Sequence, residues 1–135
     1  MAGKKAKIKN IKPKIQTQMT NQVTGNWLYF CPMEQNIRGI YEVLKEQNEV
    51  EIWEEAGVME VLLDGKSSFD IETTQIHPKD EVTLQFAEEQ GAKSVFLVTF
   101  SPEEYESAKE RMKQILDRLG GIFCGDTEDF MPQVR

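Results

Sequence analysis

The segment that decides the fold is residues 94–100, with the sequence SVFLVTF. It is short, rich in β-branched and aromatic residues, and polar only at Ser94 and Thr99. An apolar run of this length and composition predicts a buried strand. We therefore expect this strand to lie in the middle of a sheet.

A helix is predicted directly after this strand. Ser101 can cap it, Pro102 suits the first helical position, and Glu104 completes a capping box. The apolar residues that follow have helical spacing: Tyr105, Ala108, Met112, Ile115, Leu116 and Leu119. Gly120-Gly121 ends the helix, residues 122–124 can add a short strand, and the last residues are expected to be irregular.

A second helix and a hairpin are predicted before the central strand. Residues 77–91 form the helix, with Val82, Phe86 and Ala87 on its apolar face. Upstream, residues 58–63 and 68–74 flank Asp64-Gly65, a dipeptide favoured in tight hairpins. Residues 53–63 have a spacing that permits either a strand or a helix.

The sequence WLYFC at residues 27–31 predicts a further buried strand. Behind Pro32, helical spacing continues to about residue 48, and residues 50–53 alternate as in a strand. This β-α-β-β-α-β order resembles the split-βαβ, ferredoxin-like arrangement with a C-terminal helix added. We expect an α+β, two-layer sandwich with a mixed or antiparallel sheet and its helices on one face.

The charge distribution divides the chain into two parts. Residues 1–14 hold six lysines and no acidic residue, so the other ten basic residues face all 23 acidic ones in the remainder. We interpret residues 1–25 as a basic flexible arm and residues 26–135 as one acidic domain. An acidic body repels phosphate, so nucleic acid is expected at most weakly through the lysines, and a basic protein is the better partner.

Cys31 is the candidate reactive thiol. It follows a buried strand and precedes a predicted helix start, where the helix dipole lowers a thiol pKa. Glu34 stands where a CxxC motif would have its second cysteine, and a buried, inert cysteine is the alternative. Cys124 could form a redox-sensitive pair with Cys31 if the two strand ends meet.

Other side chains give weaker indications. His77 is the single histidine, which excludes a site with several histidines. Asp126, Glu128 and Asp129 lack the closing Glu of a calcium loop. With no phosphate-binding loop either, we expect no cofactor and no metal. Phe130, which directly follows these acidic residues near the end of the sequence, is expected to dock on the domain.

Three functions remain open from the sequence. The first is a non-enzymatic binding or regulatory module of the inhibitor or adaptor type. Its acidic surface for a basic partner would comprise Glu88, Glu89, Glu103, Glu106 and Glu110. The second is a thiol-dependent activity at Cys31, and the third is a small-molecule site lined by Trp27, Tyr29 and Trp53. No signal peptide and no apolar run of membrane-spanning length is present, so a cytoplasmic location is expected. The oligomeric state stays open.

Overall fold

A seven-stranded antiparallel sheet forms the centre of the molecule in the computed structural model, which describes residues 23–135. The strands follow the order β2-β3-β4-β5-β1-β6-β7 across the sheet. They are β1 (Asn26–Cys31), β2 (Val50–Trp53), β3 (Val58–Leu62), β4 (Ser68–Thr73), β5 (Ser94–Thr99), β6 (Ile122–Gly125) and β7 (Gln133–Val134). The predicted central strand is β5, the fourth of seven, and the α+β class is confirmed.

The helices lie on both faces of this sheet. They are α1 (Ile37–Leu44), α2 (Glu81–Glu89) and α3 (Tyr105–Leu119). Side chains of a strand alternate between faces: in β1, Tyr29 belongs to the core under α1 and α3, whereas Leu28 and Phe30 pack with Ala87 of α2. The predicted sandwich with all helices on one face therefore differs from the structure, because the apolar side of α2 is buried against the opposite face.

The strand count also differs from the predicted β-α-β-β-α-β order. The ambiguous residues 53–63 contain a short 3-10 turn, Glu54–Ala56, followed by strand β3, so three strands separate α1 from α2. The helix that the sequence places as an addition, α3, shares a face with α1. Hydrophobic periodicity identifies an apolar helix side but not the sheet face that covers it.

Helices α1 and α2 begin at side-chain caps that follow the prolines. The Asn36 side chain accepts a hydrogen bond from the N–H of Gly39 at 3.0 Å, and Asp80 accepts one from Thr83 at 3.1 Å. A side-chain oxygen of Asn or Asp can accept a hydrogen bond from a free N–H of the first helical turn. Proline has no such acceptor, so it does not cap the helix. The start of α1 is therefore Ile37, five residues after Pro32.

Glu104 connects α3 to the β3–β4 turn. The predicted capping box is wrong: Ser101 makes no side-chain cap bond, and Pro102–Glu104 forms a 3-10 turn. The Glu104 carboxylate instead accepts hydrogen bonds from the N–H of Gly65 at 2.8 Å and of Ser67 at 3.3 Å. The hairpin connection is longer than the predicted tight turn, and its positive φ falls at Lys66 (77°).

The last residues return to the domain. Phe130 is 8% exposed and stacks on Phe86 of α2, with the ring centroids 4.1 Å apart, which confirms the expected docking. The two-residue strand β7 pairs with β6, a feature that was not predicted because two residues carry no periodic pattern.

Candidate binding surface

Among residues 23–135, no helix covers strands β2, β3 and β4 on the face that carries α2. This helix packs near β1, β5 and β6, whereas β2, β3 and β4 extend beyond it. In these three strands every second side chain is turned into the core under α1 and α3, as Met59, Val61 and Ile71 show. The intervening side chains project from the uncovered face.

Three carboxylates form a row across this face. Glu51 of β2 is the register partner of Glu60 of β3, and Glu60 is the partner of Asp70 of β4. Directly opposed residues in antiparallel strands have Cβ atoms about 5 Å apart. The row therefore brings three like charges together across neighbouring strands, an arrangement that normally destabilises a sheet.

The surrounding side chains complete what we call the acidic face. It consists of the acidic residues Glu51, Glu60, Asp70 and Glu72 together with the apolar residues Trp53, Val58 and Leu62. Trp53 and Leu62 are unusually exposed for apolar side chains, at 47% and 41%. Strands β2, β3 and β4 contain no lysine or arginine, so no side chain of these strands neutralises the carboxylates.

The electrostatics of the row follow from this geometry. Partial burial, reinforced by the charges of Asp70 and Glu51, raises the pKa of the Glu60 carboxyl above its usual value. Burial also raises the pKa of Asp70, with the Ser68 hydroxyl opposing it. One Asp70 oxygen, Oδ1, is buried and has no hydrogen-bond partner among the described residues. Both carboxyls therefore carry their negative charge at a cost that a nearby cation would reduce.

The groove at this surface is small. A groove of about 200 Å³ lies beside the row, lined among others by Glu51, Glu60, Leu62 and Ser68. Within residues 23–135, no group of three or more His, Cys, Asp or Glu side chains is placed to hold a metal ion. Because this groove is smaller than a typical small-molecule pocket, a surface with spaced charges suits an extended peptide better than an enclosed ligand.

The structure does not bring together the five acidic residues predicted from the sequence as a partner surface. Glu88 and Glu89 are on α2, on one face of the sheet, while Glu103, Glu106 and Glu110 accompany α3 on the other. Glu106 lies 3.8 Å from Lys109, and Glu110 lies 3.5 Å from Arg111. These five side chains are therefore two separate groups, and the second is partly neutralised.

Cys31 is not at a helix start. It is the last residue of β1, five residues before the Asn36 cap, and it is 0% exposed. Cys124 is also 0% exposed but belongs to the core cluster on the opposite face of the sheet. The condition for a Cys31–Cys124 pair is therefore not met, because the sheet separates the two thiols.

The remaining predicted site residues are also dispersed. Trp27 and Tyr29 are fully buried in the core under α1 and α3, whereas Trp53 is exposed on the acidic face, so they line no common pocket. His77 is exposed, and its Nδ1 accepts a hydrogen bond from the N–H of Lys79. Asp129 accepts hydrogen bonds from Thr127 and from the N–H of Met131, which orders the final turn.

The sequence did not identify the acidic face, although it contains a signal for it. Each acidic residue of the face alternates with apolar residues in its strand, as in VEIW, VMEVL and SFDIET. That alternation predicts that each strand has one solvent-exposed side. Only the pairing register of β2, β3 and β4 shows that the carboxylates on their solvent-exposed sides oppose one another.

Comparison with known proteins assigns this chain to no family. No protein-family model matches the chain, and no curated protein or solved structure matches it either. In the part of the chain that the structure describes, no helix is long and apolar enough to cross a membrane.

Proposed function

We propose that this protein is a non-enzymatic binding module whose acidic face binds a positively charged segment of a protein partner. The observation that carries the proposal is the row Glu51–Glu60–Asp70, in which the exposed Glu51 and Glu60 and the half-buried Asp70 oppose one another across three strands. Residues that break a local stability rule are commonly explained by function. A cationic partner would offset the repulsion that the free protein carries.

The dimensions of the row define the partner's chemistry. Neighbouring strands are about 4.8 Å apart, so the row is about 10 Å long. An extended peptide presents alternate side chains about 7 Å apart. Two or three Lys or Arg residues at alternate positions therefore match the row, and Trp53 and Leu62 offer apolar contact beside it.

The site as a whole favours protein over nucleic acid. Four carboxylates on one face would repel a phosphate backbone, whereas lysine and arginine side chains are attracted to them. The buried position of Cys31 gives no support to a thiol-dependent activity. The dispersion of Trp27, Tyr29 and Trp53 gives none to the predicted aromatic pocket.

The proposal can be tested by titrating the full chain with a fluorescent peptide of alternating Lys and Thr. The triple variant E51Q/E60Q/D70N should bind the peptide at least about tenfold more weakly, equivalent to about 1.4 kcal/mol. Raising the salt from about 0.05 M to about 0.5 M should weaken binding to the unmodified chain, since salt screens these charges.

The matched control is the triple variant E88Q/E89Q/E106Q, which removes the same charge from the surface predicted by sequence. We expect its affinity to stay within about twofold, because its side chains lie outside the row. Equal losses in the two triple variants would show that total charge alone attracts the peptide, and would refute the assignment of the face. Absence of peptide binding at low salt would refute the proposed function itself.

A further inference from the structure

One edge of the sheet offers unpaired backbone groups. Strand β2 is the outermost strand at this edge and, within residues 23–135, pairs with β3 alone. The N–H of Leu62 donates a hydrogen bond to the carbonyl of Glu49 at 2.9 Å, so these two residues are a bonded pair. Bonded pairs alternate along an antiparallel ladder. The next residues of β2 that bond to β3 are therefore Glu51 and Trp53.

Val50 and Ile52 lie between these bonded positions. Their N–H and C=O groups point away from β3, and no hydrogen bond joins them to another residue that the structure describes. Both residues are half-buried, so solvent reaches this edge. A row of free main-chain donors and acceptors is the feature by which a sheet edge takes up an extended peptide as an added strand.

Charge selects the side chains on one side of such an added strand. Glu49, Glu51 and Trp53 are exposed on the side of β2 that belongs to the acidic face. An added residue opposite Glu51 forms a non-hydrogen-bonded pair, in which opposed side chains come closest. Lys or Arg fits opposite the two glutamates, and a cation also binds the face of an exposed Trp ring. A second copy of β2 fits less well, because it brings more glutamates to the same edge.

The other side of an added strand meets apolar side chains. Val50 and Ile52 pack against the core under α1 and α3. Helix α1 lies beside β2 on this side, since Arg38 of α1 is 3.2 Å from Glu54, directly after the strand. A β-branched apolar residue opposite Val50 or Ile52 extends this apolar contact. Cationic and apolar residues therefore alternate in the segment that fits the edge.

We propose that the outer edge of β2 binds an extended segment of a partner protein as an added antiparallel strand, in which Lys or Arg alternates with β-branched apolar residues. The cationic residues lie opposite Glu49, Glu51 and Trp53, and the apolar ones lie opposite Val50 and Ile52. The antiparallel direction follows the rest of the sheet, where every pair is antiparallel. This site goes beyond the proposed function, because main-chain hydrogen bonds supply its affinity.

Backbone methylation of a peptide tests this pairing. The probe is a short capped peptide of alternating Lys and Val, made in two forms with N-methyl groups on either the valines or the lysines. In the proposed register the valine N–H groups bond to Val50 and Ile52, whereas the lysine N–H groups point away from β2. The valine-methylated form should therefore bind the full chain at least about tenfold more weakly than the lysine-methylated form. Equal affinities, or the reverse order, would overturn the inference.

Amide hydrogen exchange of the full chain locates the peptide. The N–H groups of Val50 and Ile52 should exchange rapidly in the free protein and become protected when the unmethylated Lys-Val peptide is added. Those of Glu51 and Trp53 are the internal control, because they bond to β3 with or without the peptide. Slow exchange of Val50 and Ile52 without peptide would show that the chain itself or a second copy already covers the edge, and would overturn the inference. Exchange that the peptide leaves unchanged would also overturn it.

Two matched variants separate the edge from the acidic face. E49Q/E51Q should weaken binding of the Lys-Val peptide by about threefold or more at low salt, because both carboxylates lie beside the added strand. E60Q/D70N removes the same charge from strands about 10 and 14 Å away from the added strand, and should weaken this binding less. Equal losses would contradict the proposed contacts of the lysines.

The two proposals fail in different ways. If the Lys-Thr peptide binds through the acidic face but the Lys-Val peptide does not protect Val50 and Ile52, the edge site is refuted and the proposed function stands. If these two amides are protected but binding of the Lys-Thr peptide does not depend on Glu60 and Asp70, the edge site stands and the proposed function is refuted.

Discussion

Glu60 and Asp70 lie directly opposite each other on β3 and β4, and Glu51 opposes Glu60 from the other side. Glu60 is thus the central charge of the row and has a like charge on both neighbouring strands. Opposed like charges cost a sheet stability. Here partial burial, reinforced by the charges of Asp70 and Glu51, raises the pKa of Glu60. Such a row is better suited to binding a cation than to stabilising the free fold.

The change Glu60→Gln should stabilise the protein. It removes two cross-strand repulsions without changing side-chain size, and we expect the free energy of unfolding to rise by about 0.5–1 kcal/mol at pH 7. Urea denaturation followed by circular dichroism would measure it. Glu88→Gln on α2 is the control and should change stability by less than about 0.5 kcal/mol. A destabilised E60Q protein would show that the row is not repulsive.

The row should also make stability depend on pH with an unusual sign. The pKa values of Glu60 and Asp70 are raised on folding, so the folded state binds protons that the unfolded state has released. Between the unfolded and the folded pKa values, stability therefore falls as pH rises, and it is regained on mild acidification. Comparing E60Q/D70N with the unmodified chain at pH 7 and pH 5 tests this: the advantage of the variant should shrink at the lower pH. A constant difference would contradict the expected protonation.

Glu104 should show the opposite dependence. Its hydrogen bonds from Ser67, and from the N–H groups of Gly65 and Ser67, lower the pKa of its carboxyl. Its contribution is therefore present above the usual glutamate pKa and is lost as pH falls through the lowered value. Glu104→Gln should lower the urea midpoint at pH 7, with a smaller loss in acid.

Glu103→Gln is the matched control for this change. Glu103 is exposed and accepts a hydrogen bond from Ser101 two residues away, and it makes no hydrogen bond to the described β3–β4 turn. Its loss should affect the urea midpoint less than the loss of Glu104. Equal effects from both variants would mean that the bonds to the turn do not contribute to stability.

Both cysteines should be unreactive in the folded protein. Cys31 and Cys124 are 0% exposed, and burial together with the charge of Asp126 raises the pKa of Cys124 to about 12. A thiol reagent such as DTNB should label both only after urea unfolding, because the thiolate is the reacting form. Mild oxidation should give no intramolecular disulfide. Rapid labelling of Cys31 in the native state would restore the thiol hypothesis.

Local sequence patterns determined most of the individual elements. SVFLVTF specified the central strand β5, WLYFC specified β1, and the spacing after Tyr105 with Gly120-Gly121 behind it specified α3. These assignments depend on composition and periodicity over a few residues, which is information that the chain carries locally. The burial of Phe130 was also expected, from an aromatic residue that directly follows an acidic stretch near the end of the sequence.

The tertiary structure decided which elements share a face and which side chains meet. The pattern of α2 shows an apolar side but not that Leu28 and Phe30 cover it from the face opposite to α1 and α3. Glu104 has the sequence of a capping residue, yet its carboxylate bonds to a turn 37 to 39 residues earlier. Glu51, Glu60 and Asp70 are dispersed over 20 residues of sequence and form one row only because strand register places them opposite each other. Such contacts depend on long-range pairing, which local periodicity does not encode.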